Sequence, residues 1–409
     1  MKQAKLKPIA FITGFGLVSC LMDIVYQGAL SVQGPLLYSL GATAGIVGIV
    51  SGLGEATSLA GRLVSGPWAD RTGKYWLFAI VGYAITALSV PAMGFAGSVI
   101  GVSLLIIFER FGKSLRTPSR DAMISHAAAA VGRGKGFAIH ELMDQIGAVA
   151  GPLIVSAVLS ATNTQYAPAL GILGIFGLAS IAVLVTVRVK VPDPRVYEQD
   201  MQEEEEKAES EKPADEGKSE KGERPRMPRL FWIYTAFCGL VLAGVGTFGV
   251  MSFHMVSTGL VSPALVTILY AIAQAVDAVF ALVTGSLYDR IGTKALVVLP
   301  VVSLLIPVFV FTENFALMVT GVVLWGASLG IQESTMRAAV ADIVPSEKRA
   351  TSYGMFSVFL GIGSMVGGAL IGLLYDVNVA YAIGYAVIVE VIAFILFLYT
   401  QSQIKHSAN

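Results

Sequence analysis

Stretches of about 17–25 mostly apolar residues, each long enough to cross a bilayer as a helix, recur along nearly the whole of this 409-residue chain. They cover 8–31, 43–65, 76–96, 98–120, 137–160 and 168–188, and after a break 229–253, 264–287, 295–312, 316–337, 350–374 and 378–400. The runs are continuous rather than alternating, and they outlast any strand. The expected fold class is therefore all-α: a polytopic membrane protein of twelve transmembrane helices in two six-helix bundles, 1–188 and 229–409. Composition agrees, because only 14% of residues are charged against about 25% in soluble domains. That is too little charge to cover a water-facing surface, and a lipid bilayer is the expected surrounding. The formal net charge of +0 gives no bias toward nucleic acid.

The break at 189–228 has the opposite character. It contains the run Glu203–Glu206 and then mixed Lys, Glu, Ser, Pro and Gly. Such a segment cannot bury enough apolar surface to order itself and reads as a disordered linker. The short loops near 32–42, 97, 161–167, 254–263, 313–315 and 375–377 contain no Lys or Arg. The opposite side carries Lys2, Lys5, Lys7, Arg71, Lys74, Arg133, Lys135, Arg290, Lys294, Lys348, Arg349 and Lys405. The basic side is expected to be cytoplasmic, with both termini and the linker on it. No cleavable signal is evident, and a prokaryotic cell membrane is the expected location. Cys20 and Cys238, each in an apolar run, read as packing residues rather than a disulfide or metal framework.

The two halves repeat. The loop Gly66-Pro67-Trp68-Ala69-Asp70-Arg71-Thr72-Gly73-Lys74 returns as Gly285-Ser286-Leu287-Tyr288-Asp289-Arg290-Ile291-Gly292-Thr293-Lys294, with Gly, Asp-Arg and Gly at an offset of 219 (289 minus 70) and the Lys one residue later. This duplicated loop, with the six-plus-six layout and charged middle, resembles the major facilitator superfamily over essentially the whole chain. The resemblance implies two bundles related by a pseudo-twofold along the membrane normal. It also implies alternating access to a central cavity, a small-molecule substrate, and coupling usually to protons or sodium. It further implies that Asp70 meets the positive N-terminus of the eleventh span and closes the cytoplasmic side, with Asp289 serving the other half. A carboxylate so placed contributes about 0.3–2 kcal/mol, weak enough to break in each cycle.

In the fifth span, Gly147-Ala148-Val149-Ala150-Gly151-Pro152 is similar to the family's antiporter motif G-x-x-x-G-P, although Leu153-Ile154-Val155 stand where a Gly pair normally closes it. Gly147 and Gly151 share a helix face that admits a close neighbour, and Pro152 bends the span. The motif either marks an antiporter or serves generic helix packing. A run in the eleventh span, Gly361, Gly363, Gly367 and Gly368, is comparable. Arg110 in the fourth span resembles the family's proton-transfer arginine.

Ionisable side chains inside hydrocarbon are costly and mark candidate sites. Asp23 and Gln27 share one face of the first span, and either touch substrate and protons or hydrogen-bond a neighbouring helix. Glu55 lies midway along the second span and is open to an ion pair with Arg62. Glu109 and Lys113 are four apart and can pair. Lys113, Arg116 and Arg120 continue a basic stripe that either faces substrate or snorkels to headgroups. His140, Glu141 and Asp144 cluster on the face that carries Gly147 and Gly151. Two carboxylates this close resist ionising together, so the cluster can load and release a proton, or it forms a static network with fourth-span cations. In the second half Asp277 is mid-span, and Glu333 and Arg337 are spaced to pair as a gate or brace. Glu390 reads as peripheral. His254 with Met251 and Met255 either holds a soft metal or is solvated at an interface.

No nucleotide loop, H-E-x-x-H or nucleophile elbow is present, so neither an enzyme nor a nucleotide-driven pump is expected, and no cofactor or metal is assigned. The expected function is a secondary transporter acting as a monomer, by proton-coupled export (antiport). An uptake symporter for an anionic or sugar-like solute is the alternative, and a non-transporting membrane sensor or scaffold the third reading.

Overall fold

The computed structural model describes residues 6–197, 227–344 and 349–408. Six helices form the first half: α1 (Pro8–Ser39), α2 (Ala44–Thr72), α3 (Tyr75–Met93), α4 (Val99–Ala129), α5 (Arg133–Ala161) and α6 (Tyr166–Lys190). Six more form the second: α7 (Arg229–Ser257), α8 (Pro263–Ile291), α9 (Val298–Val310), α10 (Phe315–Ile343), α11 (Arg349–Val377) and α12 (Val379–Ala408). Three of these are interrupted: α6 by a turn at Ile172, α7 at Gly246–Thr247, and α10 by one π-helical turn, Gln332–Met336. Among the described residues there is no strand.

Ten helical stretches among the described residues are long and apolar enough to cross a membrane. One of them, Pro263–Val310, is 48 residues long and holds both α8 and α9, joined by the 3-10 turn Gly292–Val297. The helix missing from the ten is α4, whose apolar run is diluted by Glu109, Arg110, Lys113 and Arg116. Most helices outrun their apolar stretches: α1 continues eight residues past 31, and α4 nine past 120. Hydropathy ends where polar residues begin, but the intrahelical hydrogen bonds do not need lipid and carry on.

Four helices that begin at the charge-poor end are capped by short polar side chains, α6 being uncapped. Thr43, Ser98, Ser262 and Asn314 accept backbone N–H bonds of α2, α4, α8 and α10. Within both copies of the repeated loop the preceding helix, α2 or α8, ends on a glycine at positive φ, Gly73 (62°) and Gly292 (63°), which explains the repeated Gly. The packed apolar side chains form two large cores, beside a small cluster of Ala69, Phe78 and Leu115. One is built from α1–α6 and continues to Val196 and Tyr197, and the other from α7–α12. Outward faces carry exposed Leu88, Ile100, Leu282 and Ile395, as a lipid-facing surface requires.

Residues 198–226, most of the expected linker, lie outside the described residues. Its first part is ordered: the Tyr197 ring packs at a tilt against Phe11, and its hydroxyl donates to the Leu6 carbonyl at 2.9 Å. In the same segment the Arg195 guanidinium holds the Asp193 carboxyl below the usual carboxylate range.

Glycines set the closest helix approaches. A Cβ on Gly147 would strike the Cys20 carbonyl of α1, and one on Gly151 the Ile24 carbonyl. On α11, Gly361 and Gly368 face α2 at Ala56 and Gly48, while Gly363 and Gly367 face α7 at Gly239 and Ala243. Gly151→Ala is expected to force α5 off α1 at a cost of about 1–3 kcal/mol, read as a lower Tm of the detergent-purified protein. Gly171→Ala, where a Cβ meets nothing within 4 Å, should leave Tm unchanged. An unaltered Tm for Gly151→Ala would refute the packing role.

Candidate functional site

The charges of α4 turn inward. Arg110 is buried, donates from Nη2 to Glu55 of α2 at 3.0 Å, and lies 4.6 Å from the ring centroid of Tyr26 on α1. Lys113 sits 3.8 Å over the same ring, and Arg116 donates to Thr86 of α3 at 2.6 Å while facing the Tyr83 ring at 5.1 Å. The stripe therefore does not snorkel. Buried cations need partners, and hydroxyls, one carboxylate and two aromatic faces supply them. Two expected pairs are replaced. Glu55 pairs with Arg110 rather than Arg62, and Lys113 takes the Tyr26 face rather than Glu109. Glu109 is buried, 3.6 Å from Arg110 Nε, with no hydrogen bond to either carboxylate oxygen.

One turn further along α4 is the centre of the cluster. Arg120 donates to Asp121 at 2.9 Å, to Asp144 of α5 at 3.4 Å and to Ser19 of α1 at 3.4 Å. His140 meets Ser19 through Nε2 at 2.8 Å, and its Nδ1 lies 3.9 Å from Asp144. Ser19 also reaches the Tyr83 hydroxyl at 3.4 Å. Asp144 keeps one carboxylate oxygen buried and unpaired. Glu141 is exposed and accepts from Gln145 at 3.4 Å. Ligating atoms of His140, Glu141 and Asp144 lie within 4.8 Å of one another. That spacing would suit a cation, but Arg120 already supplies a positive charge there. Asp23 joins from α1, its Cβ 3.1 Å from where a Gly147 Cβ would stand. The G-x-x-x-G face thus presses Asp144 and Asp23 toward each other.

Across the halves, Tyr270 of α8 donates to Gln27 at 2.6 Å. Asp277 on the same helix is buried, with Oδ1 unpaired. Glu333 and Arg337 do not pair: both are exposed, and no ion pair joins them among the described residues. The π turn over Gln332–Met336 adds a residue to that turn and spoils the four-residue register. His254 is buried rather than solvated. Its Nδ1 bonds the Tyr375 hydroxyl at 2.7 Å and Nε2 faces the Thr312 carbonyl at 3.4 Å, which leaves neither nitrogen for a metal with Met251 or Met255.

The loop motifs behave differently from the family expectation. Asp70 accepts from Tyr75 at 2.9 Å, and its brace to the start of α11 is not made among the described residues. Arg71, Lys74, Asp289 and Arg290 are exposed. The carboxylate that does join the halves is Asp376, at the far end of α11. It accepts from the backbone N–H of Ala44 and of Gly45, each at 2.9 Å, and so caps the N-terminus of α2. The halves also meet at this charge-poor end through Ser156, which donates to the Ala264 carbonyl at 2.8 Å. Sequence reading missed Asp376, Ser19, Tyr26 and Tyr270, which are ordinary polar residues until partners distant in sequence are known. Asp376 alone carried a signal, as a carboxylate in a loop without Lys or Arg.

The family model of the Major Facilitator Superfamily matches residues 13–260 and 253–409. An uncharacterized protein of Mycobacterium tuberculosis, Rv2265, is 45% identical over 386 residues, 94% of this chain and 91% of its own. The MFS-type transporter MJ1317 of Methanocaldococcus jannaschii is 23% identical over 94% of this chain and 93% of its own. The quinolone resistance protein NorA of Staphylococcus aureus is 25% identical over 134 residues, 32% of this chain and 34% of its own. Among solved structures, the nucleoside transporter NupG superposes with a TM-score of 0.70 at 15% identity, covering 97% of this chain and 99% of that one. An inward-facing bacterial homolog of the human lysosomal transporter Spinster gives 0.68 at 14%, covering 96% and 95%. With inward-turned charges, a repeated loop and a family match along its length, this multi-pass membrane chain belongs to the Major Facilitator Superfamily.

Proposed function

We propose that this transporter exports a small organic solute in exchange for protons. The observation that carries the reading is the Asp144–Arg120–His140–Ser19 cluster, seated where the α5 glycines hold α1 closest. Asp144 has one partnered and one unpartnered oxygen, and Arg120 divides its donors between Asp144 and Asp121. A proton arriving on Asp144 would free Arg120 for Asp121, and its departure would restore the pair. A carboxylate with a competing arginine is thus a two-position switch. The partial likeness to NorA supports the export direction. The inward stripe of Arg110, Lys113 and Arg116 favours a second reading, uptake of an anionic solute.

In the proposed cycle the segments 1–188 and 229–409 rock as rigid bodies, with the basic face cytoplasmic. The Asp376 cap then acts as an outer latch that closes the far side in the state described here. The Asp70 brace belongs to the opposite state, in which the cytoplasmic side is shut. Each latch is a carboxylate on a helix N-terminus, worth about 1 kcal/mol, so neither traps the cycle.

A thermal-stabilisation screen of purified protein against compound classes at several pH values should name the solute. With that solute in proteoliposomes, a pH gradient is expected to drive its movement against protons. Asp144→Asn should reduce gradient-driven flux to that of empty liposomes while leaving solute exchange intact. Gradient-driven flux retained in that variant removes Asp144 from the role, and flux with rather than against protons selects the uptake reading. For the latch, spin labels at Ser39 and Asn378 should report one short distance. Asp376→Asn is expected to raise the open population roughly fivefold, the equivalent of about 1 kcal/mol. An unchanged distance distribution would eliminate the latch.

A further inference from the structure

Glu390 is the one fully buried carboxylate of α12, and none of the elements described above uses it. Its relative exposure is 0%, neither carboxylate oxygen has a hydrogen-bond partner, and no cation pairs with it among the described residues. It lies away from the Asp144 cluster, buried against α7. It lies eleven residues into α12 from Val379, about 16 Å along the axis, and is therefore deep in the apolar layer. An ionised carboxylate without a counter-charge there costs several kcal/mol, so something positive must accompany it.

The neighbouring backbone shows what that could be. The Glu390 side chain rests on Gly244 of α7, where a Cβ would collide with its Oε1, Cγ and Cδ. Two residues on, α7 breaks at Gly246, whose φ of 70° and ψ of −166° end the first half-helix without a capping hydrogen bond. Its last-turn carbonyls are left free, and they carry the negative end of the helix dipole. Thr247 opens the second half-helix without capping it, and its hydroxyl is buried and unpaired. The polar groups along this stretch of α7 and the Glu390 side chain resting on it are a carboxylate, a hydroxyl and free carbonyls. Apart from the hydroxyl proton they are all acceptors. Oxygen-rich surroundings at a broken helix, with one formal negative charge, are the coordination chemistry of a hard monovalent cation.

We propose that Glu390 and the carbonyls freed at the α7 break bind one sodium ion between α7 and α12, outside the Asp144 cluster. The site goes beyond the proton-exchange reading and stands without it. Bound sodium would tie the two half-helices of α7 to α12 and set the angle between them.

The test is the Tm of purified full-length protein in sodium, potassium or choline chloride at equal ionic strength and pH. Sodium alone is expected to raise Tm, in a saturable manner. Glu390→Gln, a neutral residue of the same shape, should stay folded and lose the sodium-dependent rise. Gly244→Ala, which takes the carboxylate's place, should lose it too, and Asp144→Asn should keep it. Equal Tm in all three salts, or a sodium effect that survives Glu390→Gln, overturns the site. A pH-dependent Tm abolished by Glu390→Gln with no preference among the salts also overturns it, by identifying a proton instead. Loss of the sodium effect in Asp144→Asn would place the ion in the central cluster and refute the site at Glu390.

Discussion

A charge inside a protein that spans a bilayer must find a partner within the protein, because neither lipid nor water will solvate it. The arrangement of the first half follows from that requirement. Helix α4 carries Glu109, Arg110, Lys113, Arg116 and Arg120 along its length, too many to leave facing hydrocarbon. Turning them inward obliges α1, α2, α3 and α5 to present Tyr26, Glu55, Thr86 and Asp144 at matching heights. The interior polar site is thus a consequence of satisfying α4, and α1 is its common wall.

Close backbone approach is the second element of the design. Apolar burial does not draw helices together in lipid, so contact area must come from fit. Gly147 and Gly151 seat α5 on α1, and Gly48 with Gly368 seats α2 on α11 across the two halves. The first contact brings Asp144 beside Asp23, where the coupling chemistry is proposed. The second lines up the Asp376 cap with the start of α2. Packing and electrostatics act on the same helix pairs, so a rocking motion that loosens one contact changes the other.

Much of this was legible beforehand. The apolar runs located every helix to within a few residues at most ends, and the repeated Gly-Asp-Arg-Gly loop pointed to duplication and family. His140, Glu141 and Asp144 were grouped from their spacing, but Arg120 was read as part of a basic stripe and not as their partner. Pairings were another matter. Glu55 chose Arg110 over Arg62, Lys113 chose a tyrosine ring, and Glu333 missed Arg337 across a π turn. Spacing along one helix states which side chains can meet, but a partner on another helix competes for them, and that competition depends on three-dimensional register. His254 was misjudged for the same reason, since depth along a span does not say which way a residue faces.

The sequence by itself determined that the chain is a helical membrane protein of duplicated design, because hydrocarbon tolerates only long apolar helices whose backbones are satisfied internally. It also determined which ionisable groups would have to be accommodated. Only the tertiary structure decided how: which hydroxyl or ring neutralised each cation, which end of the molecule Asp376 closed, and that α7 breaks beside Glu390. Those outcomes depend on groups tens to hundreds of residues apart in sequence coming into direct contact, for hydrogen bonds within about 3 Å.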